Sequence, residues 1–264
     1  MNKKSLIKTL IITGANGIIG SVVCEKALEN GFRVAAFDLQ TDELEKIKKK
    51  YPEELLIHAC DIRVKHEIEL GLSKVLDKWH SIDGLFNNAA WKGSNSQDFF
   101  KPFEDWSLES WRDILSVNLD AVMLIDQIIG SYMANVQGFG SIVHTASIYG
   151  VVAPDQRIYE GSDYLGGSIN TPAVYSVSKG AVIALMKHLA AYWGHKGVRV
   201  NAVSPGGVES GQNTVFKEKY SARVPLARMA KAEEIAEGVL FLLSDQSCYI
   251  TGHNLVIDGG LTVW

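Results

Sequence analysis

The chain has 264 residues, a mass of 29.0 kDa, a formal net charge of −4, 47% apolar residues and 21% charged residues. That balance belongs to a folded globular chain with a sizeable core and excludes a disordered one. A pI of 6.0 gives no electrostatic footprint for a nucleic-acid partner.

Cys24, Cys60 and Cys248 lie too far apart for metal spacing and are too few for a disulfide framework. No metal site and a reducing cytoplasm are expected. No uninterrupted apolar stretch reaches the length of a membrane span, and the basic start meets Thr13-Gly14 too soon for a signal peptide, so no membrane partner is expected.

In chain order, residues 6–13 read as a buried strand and 17–30 as a helix closed by Gly31 at its C′ position. Residues 33–38 form a second strand. Residues 41–50 form a helix with Thr41 as N-cap, and Lys48, Lys49 and Lys50 stand where the helix dipole favours cations. Strands follow at 55–60, 82–86, 140–146, 198–203 and 254–257. Helices follow at 65–79, 107–135, 173–193 and 231–243. Strand and helix alternate throughout, which predicts a single Rossmann-type α/β domain over 1–264. Its doubly wound parallel sheet has about seven strands, covered on both faces. Three long loops, at about 90–106, 149–171 and 205–228, leave the carboxyl edge of that sheet, where such folds bind ligands.

Strand one runs into Thr13-Gly14-Ala15-Asn16-Gly17-Ile18-Ile19-Gly20 and then a helix. Glycines there permit a tight turn, close approach of backbone to a pyrophosphate, and close packing of helix on strand, while the helix N-terminus offers free N–H groups. Asp38 ends strand two, where a carboxylate can accept hydrogen bonds from both ribose hydroxyls and repels a 2′-phosphate. Neither Asn16 nor Leu39 is basic, so NAD is favoured over NADP. Further on, Tyr175 and Lys179 sit four residues apart on one helix face, where an ammonium favours the phenolate. Such a tyrosine can exchange a proton with an alcohol oxygen near neutral pH.

With the glycine turn and this pair, other segments resemble the short-chain dehydrogenase/reductase family along essentially the whole chain: Asn87-Asn88-Ala89-Ala90, Ser116-Val117-Asn118, Thr145-Ala146-Ser147, Arg199-Val200-Asn201 through Ser204-Pro205-Gly206, Thr251-Gly252 and Asp258-Gly259-Gly260. The resemblance implies that Tyr175 is the general acid/base and that Lys179 lowers its pKa and holds the nicotinamide ribose. Ser147 would polarise the substrate oxygen, and Asn118 would hold a water that relays protons to Lys179. Asp61 would contact the adenine and Asn88 would support the cleft. Gly14, Asn16, Gly17, Ile19, Gly20, Asp38, Ile62, Ala89, Pro205, Gly206 and Val208 are the remaining cofactor-side expectations.

Two departures matter. Ile18 replaces a glycine usual in the compact branch, so the Gly14, Gly17, Gly20 spacing resembles the extended branch. The stretch from Ser147 to Tyr175 is also longer than the compact branch normally has. The combination resembles bacterial oxidoreductases of surface-carbohydrate and flagellin-glycan modification. The insert's Arg157, Glu160 and Asp163 are expected to meet a polar small-molecule substrate, with Gly161, Gly166 and Gly167 letting it close as a lid opposite loop 205–228. The expected activity is NAD-dependent interconversion of a secondary alcohol and a ketone on a sugar-like or sugar-acid substrate, which could be nucleotide-activated. The alternatives are a 3-oxoacyl-carrier-protein reductase and a cofactor-binding sensor without catalysis. Helices 107–135 and 173–193 are apolar on too many sides for one sheet-facing stripe, which predicts a homo-oligomer, tetramer or dimer.

Overall fold

The apolar runs Leu10, Ile11, Ile12 and Val34, Ala35, Ala36, Phe37 are buried without alternation, as strands covered on both faces must be. In the computed structural model the described residues are 8–94, 96–164 and 167–264. Leu6 and Ile7, expected to begin the first strand, and Gly166, expected as a hinge, lie outside them. The elements are β1 (Thr9–Thr13), α1 (Ile18–Glu29), β2 (Arg33–Asp38), α2 (Asp42–Lys50), β3 (Leu55–Ala59), α3 (Lys65–Trp79), β4 (Gly84–Asn87), α4 (Leu108–Gln137), β5 (Gly140–Thr145), α5 (Ala173–Trp193), β6 (Val198–Pro205), α6 (Thr214–Ser221), α7 (Ala232–Leu243) and β7 (Asn254–Ile257).

The main sheet has seven strands, all parallel, in the order β3-β2-β1-β4-β5-β6-β7, with Ile11 registered between Ala35 and Leu85. The order reverses between β1 and β4, and this opens the crevice at the carboxyl edge. One face of the sheet is covered by α1, α2 and α7 through Val23, Leu44, Ile235 and Val239. The other is covered by α3, α4 and α5 through Ile68, Val122, Ile125, Val182 and Met186.

α4 departs from the regular helix expected. Segments Ser116–Ala121, Asp126–Gly130 and Met133–Gln137 are π-helical. Its buried residues Ala121, Ile125, Ile129 and Met133 stand four apart, as do Asn118, Val122 and Asp126. At 3.6 residues per turn such a stripe drifts around the helix; widened turns hold it on one face. Gly130 lets α5 approach closely, since a Cβ there would meet the Trp193 ring at 2.6 Å. Behind the crevice, His144 of β5 bonds Asp126 of α4 through Nε2 at 2.9 Å, both fully buried.

The two loops expected as opposing lids are in contact with each other. Insert 149–171 and loop 205–228 pack on each other around Ile158, Phe216, Tyr220, Val224 and Met229, and Tyr159 stacks on Phe216 at 5.3 Å. α6 lies inside the second loop, capped by the Asn213 side chain, which accepts from the Phe216 N–H at 2.9 Å. Enough apolar residues were spread across both loops to form a small core of their own.

Candidate active site

The glycine turn is set by sterics at two positions. Gly14 has φ +62°, and a Cβ there would lie 2.6 Å from Ala89 Cα; at Gly20 a Cβ would lie 2.1 Å from the Gly14 carbonyl oxygen. Gly17 meets nothing closer than 3.4 Å, so its identity is not forced by packing. Thr13 Oγ1 accepts from the N–H groups of Asn88 and Ala89 at 3.0 and 3.2 Å. The Asn88 amide donates to the Gly14 carbonyl at 3.1 Å and accepts from Thr145 Oγ1 at 3.0 Å. β1, β4 and β5 are thereby tied into one rigid floor.

At the far end, Asp38 Oδ2 accepts from the Asn16 N–H at 2.9 Å and Oδ1 from the Gln40 N–H at 3.1 Å. Each oxygen keeps a lone pair for a further donor. Thr41, expected to cap α2, makes no side-chain cap bond. Asn16 does so from across the turn, its Oδ1 accepting from the N–H groups of Glu43 and Leu44 and its Nδ2 donating to Asp42.

A cavity of about 690 Å³ runs along this edge. Of the cofactor-side residues named from sequence, all line it except Gly20, which serves helix packing. The cavity has the cradle a dinucleotide needs: backbone that no Cβ could cover, a helix N-terminus, and a carboxylate at one end.

Ser147, Tyr175 and Lys179 line the other end. Lys179 is buried, its Nζ donates to the Thr145 carbonyl at 2.7 Å, and it sits 5.9 Å from the Tyr175 ring centroid. Burial pulls its pKa down from 10.5 to about 8. Burial also pushes the Tyr175 phenol up, and a hydrogen bond with the Ser147 hydroxyl draws it down. Phe99, Phe100, Trp106 and Trp111 belong to the apolar cluster beside Tyr175. The arrangement is a pair of hydroxyls in hydrogen-bond reach in a desolvated pocket, with a lysine amine behind it.

The ammonium has a cost to the fold. Lys179→Met is expected to stabilise the cofactor-free protein at pH 7 while abolishing turnover. Between the folded pKa and the unfolded one the unfolded chain holds the proton more tightly, so stability rises with pH there. The penalty of burying the charge is therefore complete below pH 8 and fades towards 10.5. The full shift corresponds to about 3 kcal/mol, and orphaning the Thr145 carbonyl returns about 1–3 kcal/mol of it. Thermal melts should show a Tm gain of a few degrees at pH 7 that shrinks by pH 10. A variant less stable than wild type at pH 7 contradicts this.

Two groups of residues expected at the site stand off the cavity lining. Asn118 does not line the cavity, and its side chain bonds the backbone of Trp91: Oδ1 accepts from the Trp91 N–H at 2.7 Å and Nδ2 donates to the Trp91 carbonyl at 3.1 Å. Each of these amide atoms keeps one further site, an N–H and a lone pair, so the two bonds do not exclude a relay water. Arg157, Glu160 and Asp163 do not line the cavity either. Arg157 is turned to solvent and paired with Asp155 at 2.8 Å, which also binds Arg223. Glu160 faces Lys219, and Asp163 enters a two-residue ladder with Ser168. Of these charges, Arg157 pairs within the insert, and Glu160 and Asp155 reach residues of the facing loop.

Ile18, Leu39, Gln40, Arg63, Trp91, Lys92, Val117 and Ser210 also line the cavity and were not among the expected site residues. Most neighbour a named residue, and that adjacency was the available signal. Among the described residues no cluster of His, Cys, Asp and Glu could hold a metal ion.

Comparison with known proteins agrees with this geometry. The sequence model described as enoyl-(acyl carrier protein) reductase matches residues 14–262. The chain is 32% identical to D-threitol dehydrogenase of Mycolicibacterium smegmatis, over 97% of this chain and 93% of that one. It is 31% identical to a 3-oxoacyl-[acyl-carrier-protein] reductase of Thermotoga maritima, over 97% and 98%. It is also 30% identical to post-translational flagellin modification protein A of Campylobacter coli, over 96% and 97%. A short-chain dehydrogenase of Leptospira borgpetersenii, solved with bound NAD+, superposes with a TM-score of 0.85 at 33% identity, covering 97% of this chain and 93% of that one. With the glycine turn, the reversal crevice and the Ser147, Tyr175, Lys179 group in one cleft, the chain belongs to the short-chain dehydrogenase/reductase family and is an oxidoreductase acting on CH–OH groups.

Proposed function

We propose that this enzyme is NAD-dependent and interconverts a secondary alcohol and a ketone on a sugar-like or sugar-acid substrate, free or nucleotide-activated. The observation that carries the cofactor half is Asp38, a carboxylate at the cavity end that holds two backbone N–H groups, with no lysine or arginine at position 16 or 39 to receive a 2′-phosphate. Asp42, on Asn16, adds a second negative charge there. Bound in this cleft, the nicotinamide ring supplies or accepts the hydride. The protein handles the proton: Tyr175 exchanges it with the substrate oxygen, Ser147 holds that oxygen, and Lys179 holds the ribose. The Gly14 turn, Asn88 and Ala89 seat the dinucleotide, and Asp61 with Ile62 flank its adenine.

Likeness to D-threitol dehydrogenase supports a polyhydroxylated substrate, and Lys92 and Ser210 at the cavity wall suit hydroxyls or a carboxylate. Equal likeness to a 3-oxoacyl-carrier-protein reductase supports the rival reading, against which Asp38 counts. Three free thiols, two of them buried, fit a cytoplasmic protein. Met123 and Val136 on α4 and Val177 and Tyr192 on α5 are exposed in the single chain, which supports a homo-oligomer, tetramer or dimer, built on these helices.

The test is a screen of purified protein with NAD+ and NADP+ against polyols, aldoses, sugar acids and nucleotide sugars, and with NADH and NADPH against a 3-oxoacyl thioester, read at the nicotinamide absorbance. The expected result is NAD+-linked oxidation of a polyhydroxylated compound. NADPH-linked thioester reduction as the best activity would establish the rival.

A further inference from the structure

Trp91 is an unusual side chain for its place. It follows Asn87-Asn88-Ala89-Ala90 at the carboxyl end of β4, beside the point where strand order reverses. Its backbone is gripped on both sides by Asn118. The residue is 39% exposed and lines the cavity. The ring is not loose. Its Nε1 donates to Asp113 Oδ2 at 3.4 Å, and the other Asp113 oxygen lies 4.0 Å from Arg63 Nη1. Arg63 in turn grips both oxygens of Asp61, at 2.7 Å from Nη2 and 3.0 Å from Nε.

A chain of polar contacts, Asp61 to Arg63 to Asp113 to Trp91, therefore joins the loop after β3, helix α4 and the loop after β4. It runs on the α3–α4 side of the crevice, and the glycine turn leads into α1 on the other face of the sheet. A dinucleotide seated on the glycine turn would have this wall on its far side. An indole is large and rigid, so it covers a flat ring at little conformational cost, and one left exposed in a cleft gains by being covered.

We infer that Trp91, oriented by Asp113 and Arg63, is a clamp on the bound nicotinamide dinucleotide and sets how tightly the enzyme retains it. The inference rests on the reading of the cleft as a dinucleotide site and holds for either phosphorylation state of the cofactor. The rival role, a wall for the alcohol substrate, predicts an effect on substrate KM alone.

The test is NADH and NADPH binding by fluorescence titration in the absence of substrate. Trp91→Ala should raise Kd for the preferred cofactor by about tenfold, within the range measured for aromatic stacking on a base. Trp91→Phe, which keeps a ring but loses the N–H to Asp113, should raise it by about threefold, and Asp113→Ala should fall between the two. Melting curves of the cofactor-free variants should match wild type, because the indole is partly in solvent. Tight binding by wild type with Kd within twofold in Trp91→Ala would overturn the clamp alone, whether or not substrate KM changes. Failure of wild type to bind either cofactor would overturn the clamp together with the reading beneath it.

Discussion

Tyr175→Phe is expected to lower turnover by about 10²–10⁴-fold, the usual worth of a positioned general acid/base, with NADH affinity and melting temperature close to wild type. The substitution removes one oxygen. The ring stays against the apolar cluster containing Phe99, Trp106 and Leu115, so no cavity forms. Ser147 loses its hydrogen bond with the phenol but still accepts from the Tyr149 N–H at 3.2 Å. Lys179 keeps its bond to the Thr145 carbonyl.

The pH profile separates this role from a structural one. Alcohol oxidation needs the phenolate, so the wild-type rate should rise with pH as the proton leaves, from a phenol that burial holds above its ordinary value until substrate and cofactor change its surroundings. In the Phe variant that rise should flatten. A variant with turnover within tenfold of wild type and an unchanged profile would remove Tyr175 from the chemistry.

The parts legible in the sequence are those where one local signal suffices. α5 was placed at both ends because its apolar density starts after Pro172 and stops before Gly194. The floor of the cleft was legible because the glycine turn needs Gly14 and Gly20 for steric reasons that no distant residue alters. α4 was legible in extent but not in pitch: the four-residue spacing of Ala121, Ile125, Ile129 and Met133 was present, but a 3.6-residue template absorbs it as tolerable drift. The surroundings of the insert's charges were less legible, because exposure and long-range pairing are tertiary. Arg157 pairs locally with Asp155, two residues before it, whereas the partner of Glu160, Lys219, becomes a neighbour only once the insert packs on α6, as in the stacking of Tyr159 on Phe216. Asn118 shows the same limit, because the sequence identifies a helix asparagine but not that the backbone of Trp91 will occupy it.

Cofactor choice carries the second large effect. Asp38→Ala combined with Leu39→Arg is expected to shift the NADP-to-NAD ratio of kcat/KM by about 10²–10³-fold towards NADP. In wild type each Asp38 oxygen holds one backbone N–H and keeps a lone pair, and the residue lines the cavity, so on the proposed reading it can accept from both ribose hydroxyls. Hydrogen bonds to a charged group contribute about 1.5–3 kcal/mol each, so their loss accounts for most of the fall with NAD. Removing the carboxylate also removes its repulsion of a 2′-phosphate, and an arginine at position 39 offers that phosphate a bidentate partner. The position is accessible, since Leu39 is 63% exposed and its replacement leaves no core void. The double variant also deprives the Asn16 and Gln40 N–H groups of their acceptor, so it should melt lower by a few degrees. That loss acts on both cofactors alike and cancels in the ratio, which makes the ratio the quantity to measure. Asp42, held by Asn16 Nδ2 at 3.1 Å, remains as a residual negative charge; Asp42→Asn added to the pair should carry the ratio further in the same direction. A wild-type enzyme that already favours NADP, or a double variant that leaves the ratio unchanged, would show that Asp38 does not face the ribose.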